Sequence, residues 1–241
     1  MPTVSAPRTA RALARVELTA SIKQVAGRHL AEHGAAGLSL RAVARDLGMA
    51  SSAVYRYFAS RDELLTALII EAYDDLGASV ETAEAQVDRT DLARRWLETG
   101  RAIRQWALAH PQRYGLLYGA PVPGYKAPED TIGPAQRTTD VFLAILRDAT
   151  KDPTSALAKE SDNHTLPDGV AADLTPLADD YFGGLPPHVI ARSIVAWTSV
   201  FGLISFELNG QFQNIIEHRD AFFDHAIVGL GRSVGLPPAR A

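Results

Sequence analysis

Apolar residues recur at helical spacing along most of the chain. Near the N-terminus, Leu18, Ile22, Val25 and His29 follow a 4,3,4 spacing that predicts an amphipathic helix over residues 16–33. The same kind of spacing predicts further helices over 61–85, 92–110, 113–118, 136–149 and 188–209, and a last one that carries Phe223 and Ile227. No run of alternating apolar and polar residues indicates strands. The pattern therefore predicts an all-α protein.

Two short helices with a tight turn between them are predicted over 39–58. Ser39 stands where an N-cap residue belongs, and a helix of about two turns follows it. Gly48 supplies the C-terminal stop of that helix, and a second short helix is predicted from Ser51 through Phe58. Such a pair is typical of a helix-turn-helix, whose second helix enters the major groove of DNA.

The side chains that this pair leaves outward carry hydroxyl, phenol and guanidinium groups. Hydroxyl groups bond phosphate oxygens or base edges, and a guanidinium can pair with guanine through two hydrogen bonds. The outward set predicted from the spacing is Arg41, Arg45, Ser51, Ser52, Tyr55 and Arg56. An acidic or apolar face here would have argued against DNA.

Charge is unevenly distributed. Residues 1–60 hold eight Lys and Arg against three Asp and Glu, whereas the whole chain of 241 residues has a net charge of −4. A basic head on an acidic body favours a contact with a polyanion, because clustered cations release counterions from it. A solvated basic face is the alternative, and charge alone does not separate the two.

Composition narrows the chemistry. Hydrophobic residues make up 46% and charged residues 22%, which are ordinary values for a globular protein. The chain has no cysteine, which excludes disulfides, thiolate metal sites and a cysteine nucleophile. The longest uncharged apolar run, 193–206, is too short to span a bilayer, and residues 1–15 lack the apolar core of a signal peptide. We therefore expect a cytoplasmic protein with no membrane partner and no cofactor. His29 and His33 have metal-ligand spacing but lack a third ligand, so no metal site is expected either.

Residues 37–65, GLSLRAVARDLGMASSAVYRYFASRDELL, resemble the N-terminal segment of the TetR-type transcriptional regulators. The agreement includes a small turn, a Ser/Thr cap, two short helices, a Y-x-[HY]-F element and a basic residue before an acidic helix start. It extends over about residues 16–70. Tyr57 stands where the family often has His, and Arg61 where it usually has Lys.

The resemblance implies roles for particular residues and an organisation for the chain. Ser39, Tyr55, Tyr57 and Arg61 are expected to bind phosphates. Arg41, Ser51, Ser52, Ala53 and Arg56 are expected to read bases. The implied organisation is a basic flexible arm over 1–15, a three-helix helix-turn-helix domain over 16–62 and a helical ligand-binding and dimerisation domain over 63–241, with a mobile loop over 152–187.

Two sets of residues are candidates for the second domain. His110-Pro-x-x-Tyr114 and Trp197-x4-Gly202 resemble the C-terminal subtype named for its W-H-G residues. The candidate pocket for a small hydrophobic or aromatic effector comprises Trp96, Trp106, Tyr114, Tyr118, Phe142, Trp197, Phe201 and Glu207. The candidate dimer interface comprises Ile190, Ile194, Trp197, Phe201, Ile204, Leu208, Phe223, Ile227 and Leu230. An ordinary intramolecular core is the alternative for both sets.

The sequence thus predicts a ligand-responsive repressor, not an enzyme, that binds a palindromic double-stranded DNA operator as a homodimer. The alternatives are a helical enzyme and a small-molecule-binding protein whose basic head contacts another polyanion, such as RNA or a membrane surface. The pattern over 39–61 favours the regulator, because neither alternative needs two short helices followed by Y-x-Y-F.

Overall fold

The computed structural model describes residues 10–158 and 166–238, and these residues form ten α-helices with no strand among them. The helices are α1 (Ala10–His33), α2 (Leu40–Asp46), α3 (Ser51–Val54), α4 (Arg61–Ala85), α5 (Leu92–Ala109), α6 (Pro111–Tyr118), α7 (Ile132–Ala149), α8 (Asp168–Asp180), α9 (Pro187–Leu208) and α10 (Arg219–Ser233). The predicted all-α class is confirmed.

The chain divides into two compact units, and the first comprises the described part of Met1–Ala72 together with Gln112–Ile132. Within it α1 packs on α2, and α2 packs on α3. Val54 and Phe58, four residues apart, are both buried. They share this core with Ile22, Val25, Leu30, Leu40, Val43, Leu64, Leu65 and Leu68. Burial of these side chains is the main force that holds helices α1, α2 and α3 together.

A tight turn joins α2 to α3. Gly48 adopts a φ of 65°, a left-handed conformation that L side chains rarely tolerate. The N–H of Gly48 donates to the carbonyl of Arg45 at 3.0 Å, and that of Met49 donates to Ala44 at 2.9 Å. This pair of bonds is the Schellman arrangement, which ends a helix and sets the direction of the next one.

The start of α4 is capped from both sides. The N–H of Glu63 donates to the hydroxyl of Ser60 at 3.0 Å, and the N–H of Ala59 donates to the Glu63 carboxylate at 2.6 Å. The first bond satisfies a donor that the first turn of a helix leaves open, and the second fixes the chain just before the helix. Ser60 therefore acts as the cap residue of α4.

The second unit comprises Tyr73–Pro111 and the described part of Gly133–Ala241. There α10 packs on α5 and α9, and α8 packs on α9. Gly100 faces Ile227, and Gly231 faces Trp96, so closely that a β-carbon at either glycine would lie 3.1 Å from the neighbouring side chain. Helix α9 is long and apolar enough to span a membrane by length and composition alone. Ile190, Val200 and Ile204 on one side of it are fully buried in the unit, as in the core helix of a globular protein.

The structure corrects three predicted boundaries. Helix α1 begins at Ala10, so Arg11 and Arg15 lie in a helix and only residues 1–9 of the predicted arm are outside the described residues. Helix α8 lies inside the predicted loop 152–187, of which 159–165 are also outside the described residues. Its pattern is weak because Pro176 interrupts it and its buried apolar residues are few. Helix α3 ends at Val54 and turns follow it, whereas the spacing predicted a helix through Phe58.

Candidate nucleic-acid interface and partly open cavity

The predicted DNA-binding residues lie on consecutive elements of the first unit and reach its surface. Arg41, Ser52, Tyr55 and Arg56 are exposed, and 44% of the Tyr55 surface is open to solvent. Ser39, Ser51, Ala53, Tyr57 and Arg61 are partly exposed.

The serines of this surface do not cap the helices they begin. Ser39 occupies the N-cap position of α2 in an extended conformation, but its side chain makes no cap hydrogen bond. Helix α3 takes Ala50 as its N-cap, so Ser51 is the first helical residue. The hydroxyl of Ser39 is therefore not used in capping, which differs from the role its position predicted.

The carboxylates near this surface are engaged by the protein itself. Asp46 lies 2.7 Å from Nε2 of the buried His29, and this hydrogen bond holds the pKa of Asp46 below its ordinary value. Asp62 accepts from Arg61 at 3.3 Å. Engaged carboxylates repel an approaching phosphate less than free ones do, because a hydrogen-bonded or ion-paired carboxylate has a smaller field.

Arg61 has an internal role beside the predicted phosphate contact. Its Nη2 donates to the carbonyl of Ala35 at 2.7 Å, and its Nε donates to that of Leu38 at 3.2 Å. The guanidinium thus ties the start of α4 to the 3₁₀ turn Ala35–Gly37, which leads into α2. A lysine, with a single ammonium group, could not hold both carbonyls in the same planar arrangement.

The second unit contains a partly open cavity of about 230 Å³. Its lining comprises Trp96, Thr139, Phe142, Leu143, Leu146, Tyr181, Phe182, Ser193, Ile194, Trp197 and Val200. The rings of Trp96 and Trp197 stand edge-on to Phe142, with centroids 4.6 and 5.9 Å away. No lining residue carries a charge, and burial raises the pKa of the Tyr181 phenol, which keeps it neutral.

Three of the eight predicted pocket residues line this cavity: Trp96, Phe142 and Trp197. Phe201 packs against Trp197 with ring centroids 4.5 Å apart, behind the lining. The other four residues have different places. Trp106 donates to Asp75 at 2.9 Å, Tyr114 and Tyr118 belong to the first unit, and Glu207 accepts two bonds of 2.7 Å from Arg104.

Sequence reasoning missed the neighbouring aromatic pair Tyr181 and Phe182 in the lining. They follow α8, inside the segment predicted as a loop. Two adjacent aromatic residues in a stretch otherwise poor in them were the available signal.

The predicted dimer residues are mostly core residues of the second unit. Ile190, Ile204, Phe223 and Ile227 are buried within the chain itself. The exposed apolar residues of α9 are Ile194 of the predicted set, 39% exposed, and, on the opposite side, Val195 at 62% and Phe206 at 56%. The periodic stripe therefore marked mainly the intramolecular side of the helices, since that side is the more regularly apolar one. For Ile194, Trp197, Leu208 and Leu230, which are at least partly exposed, the interface role stays a prediction.

Two family models match the chain. The model described as "Bacterial regulatory proteins, tetR family" matches residues 22–68, which carry the exposed polar surface. The model described as "Tetracyclin repressor-like, C-terminal domain" matches residues 96–230, which carry the cavity. That description gives no W-H-G subtype, so the subtype stays a prediction.

Known proteins resemble the chain along most of its length. The HTH-type transcriptional regulator Rv1816 of Mycobacterium tuberculosis is 41% identical over 202 residues, which cover 83% of this chain and 84% of that protein. The crystal structure of the regulatory protein SCO4313 is 32% identical, with a TM-score of 0.73 over 92% of this chain and 98% of that one. A TetR family transcription regulator from Shewanella has the same fold, with 16% identity and a TM-score of 0.56 over 88% of this chain and 96% of its own.

Proposed function

The chain belongs to the TetR family of bacterial transcriptional regulators, and we propose that it acts as a homodimeric, ligand-responsive repressor on a palindromic DNA operator. The family and these relatives are transcriptional regulators, not enzymes. The observation that carries the proposal is the exposed hydroxyl, phenol and guanidinium surface of α2, α3 and the turn after them. We place its action in the cytoplasm, where bacterial DNA lies.

Several of the residues proposed to read bases are exposed to solvent. Arg41 is exposed on the first turn of α2, and Ser52 and Arg56 are exposed on α3 and just after it. A guanidinium can read guanine in the major groove, and hydroxyl groups can bond bases or phosphates. Tyr55 and Tyr57 are proposed to bind phosphates and to fix the position of α3 on the duplex.

The dimer is proposed to form through the exposed sides of α9 and α10. Val195, Gly202 and Phe206 share one side of α9, because 3.6 residues per turn brings positions 7 and 11 apart back to it. His225 and Gly229 are exposed on α10. Open glycines let two helices approach closely, and one reading helix covers only half of an operator.

The oligomeric state tests this surface. We expect the double variant Val195→Glu/Phe206→Glu to be monomeric by light scattering at micromolar concentration, because it buries two carboxylates in an apolar contact. Val170→Glu, a change at an exposed valine of α8, is the matched control and should leave the dimer intact. A wild-type monomer, or an unchanged dimer in the double variant, would contradict the proposal.

The effector is proposed to be small, uncharged and ring-containing. The cavity of about 230 Å³ is smaller than the roughly 300–1,000 Å³ of drug-sized pockets, and its lining is uncharged. A charged ligand would lose its hydration without a partner. The hydroxyl of Thr139 and the phenol of Tyr181 supply polar groups at the lining.

Effector binding is proposed to shift the protein between conformations that bind DNA strongly and weakly. The chain passes between the units inside α4, between Ala72 and Tyr73, and again after Pro111 and after Ile132, so α4 is one of three covalent routes between cavity and interface. The coupling is reciprocal: DNA must weaken effector binding by the factor by which the effector weakens DNA binding. The opposite sign of coupling would make the protein an activator with the same parts.

Selection of sequences from a random DNA pool tests the function. We expect an enriched palindrome, bound as a dimer, with an affinity that falls steeply between two salt concentrations. Weak salt-sensitive binding with no enriched sequence would mean that the basic N-terminal residues contact polyanions without sequence specificity. Unchanged operator affinity across a library of uncharged aromatic compounds would contradict the effector part alone.

A further inference from the structure

The first two turns of α1 extend beyond the core of their unit. All residues of 10–17 are exposed, including Leu13 and Val16, and the first buried residue of the helix is Ile22. Packing within the unit therefore does not determine the side chains of these turns. They carry Arg11 and Arg15, and Glu17 is the first acidic residue of the chain.

One contact joins this extension to the candidate interface. The guanidinium carbon of Arg15 lies 5.4 Å from the centre of the Tyr57 ring, within the range of a cation–π interaction. Tyr57 follows α3 and neighbours the exposed Arg56. The extension therefore reaches the edge of the surface on which DNA is proposed to bind.

Arg11 lies on the same side of the helix as Arg15. A separation of four residues turns a helix by about 40° and advances it by about 6 Å, close to the spacing of successive phosphates on one strand. In the described part of the chain neither arginine forms an ion pair, in contrast to Lys23, which pairs with Glu71. Both guanidinium groups are available to an external anion.

We propose that the first two turns of α1 bind the sugar–phosphate backbone of the DNA, with Arg15, held over Tyr57, and Arg11 contacting neighbouring phosphates. The inference rests on the proposed function and adds a contact to it. Because phosphates carry no sequence information, the contact strengthens binding to every duplex equally. The exposed Leu13 and Val16 would suit a membrane surface instead, but continuity with the interface favours DNA.

The salt dependence of DNA binding tests the contact. Arg11→Ala, Arg15→Ala and the double variant are titrated with the selected duplex and with a mixed-sequence duplex of equal length. Each lost phosphate contact should lower the slope of log K against log salt by about 0.9, so with two protomers on one duplex each single variant should lose about 1.8 and the double variant about 3.6. The ratio of the two affinities should not change.

Arg28→Ala is the matched control. Arg28 is an exposed arginine of the same helix, thirteen residues after Arg15 and therefore about 140° away around the helix axis. Its removal changes the net charge as Arg15→Ala does and should leave the slope unchanged. Alanine favours helix and both tested arginines are exposed, so Arg11→Ala should unfold at the wild-type denaturant concentration, and Arg15→Ala, which also loses the contact with Tyr57, at a slightly lower one.

The outcomes separate the contact from the function. A wild-type slope in the double variant, while the wild-type protein binds its selected duplex specifically, overturns the contact and leaves the function standing. A loss confined to the selected duplex overturns the phosphate contact in favour of base reading. A wild-type protein without specific binding overturns both. Binding of the wild-type protein to anionic vesicles, with the slope on DNA unchanged in the variants, assigns the extension to membranes and overturns the proposal.

Discussion

The two units use arginine in opposite ways. In the first unit Arg41 and Arg56 are exposed and lie on the elements proposed to meet DNA. In the second unit Arg95 is fully buried, and Arg104 binds Glu207 through two hydrogen bonds of 2.7 Å. An exposed guanidinium is available to a partner, whereas a buried one is already committed to its own chain. Residue type alone therefore does not identify a binding site; what surrounds the side chain does.

The largest expected loss of stability follows the substitution of the buried arginine, Arg95. Arg95 donates to Glu84 at 2.5 Å, to Asp148 at 2.8 Å and to the carbonyl of Arg89 at 3.1 Å. Arg95→Met leaves Glu84 and the carbonyl with weaker partners inside the unit. We expect the free energy of unfolding to fall by about 3–5 kcal/mol, the usual cost of breaking a buried ion pair.

Tryptophan fluorescence during urea unfolding measures this loss in one unit. All three tryptophans, Trp96, Trp106 and Trp197, belong to the second unit. Arg94→Ala, at the exposed neighbouring position, is the control and should change stability by less than about 0.5 kcal/mol. Equal losses in the two variants would contradict the contrast between buried and exposed arginines.

Removal of an exposed arginine should affect recognition instead. Arg41→Ala should leave the fold intact and reduce discrimination at one base pair of the operator by about 1–3 kcal/mol. Arg61→Ala should weaken binding to every duplex, because Arg61 also holds the carbonyls of Ala35 and Leu38 before α2. Competition titrations against single-base variants of the selected duplex separate the two effects. If both variants weakened all duplexes equally, Arg41 would not read a base.

The sequence predicts the first unit better than the second for a physical reason. The tight turn and the buried side of this unit depend on Gly48, Val54 and Phe58, which lie within one or two turns of one another. Their spacing alone therefore indicates both features. Once the buried residues of this short stretch are known, the remaining polar residues are the exposed ones. A motif of this kind is local, and local sequence contains most of its information.

The second unit depends on contacts between distant parts of the chain. Trp96 bonds Ile227, and Arg104 bonds Glu207, more than a hundred residues away in each case. Periodicity showed that α9 has an apolar side, but not whether another helix of the same chain covers it. For this reason Ile204 and Ile227 were candidates for an interface although they are core residues, and Glu207 was a candidate for the pocket although Arg104 binds it.

A smaller loss of stability should distinguish substitutions of the two tryptophans that line the cavity. Nε1 of Trp96 donates to the carbonyl of Ile227 at 3.0 Å, which ties α5 to α10. Trp96→Phe removes this donor and should cost about 1–3 kcal/mol, because a buried carbonyl loses its side-chain partner. Trp197→Phe, in the same lining, is the control for the lost ring area. Circular dichroism during urea unfolding is the measurement, and a larger loss in the control would contradict the role of the hydrogen bond.

The smallest effect concerns acid and an ion pair at the surface of the second unit. Arg101 donates two hydrogen bonds to Asp224, at 2.8 and 2.6 Å, and they hold the pKa of this carboxyl below its ordinary value. In the unfolded chain the same carboxyl titrates near about pH 3.9. Because the folded form binds the proton less readily, the pair stabilises the protein above that pH, and the stabilisation disappears as the pH falls toward the lower folded value.

Asp224→Asn should therefore be less sensitive to acid than the wild-type protein. Between about pH 5 and pH 3 the wild type should lose up to about 1 kcal/mol more of its free energy of unfolding, the scale of a partly exposed ion pair. Asp173→Asn, at an exposed position of α8, is the matched control and should follow the wild-type curve. Parallel curves for wild type and Asp224→Asn would mean that Arg101 contributes no net stabilisation through Asp224. An ion pair of an arginine in the second unit would then stabilise the fold only where the pair is buried, as that of Arg95 is.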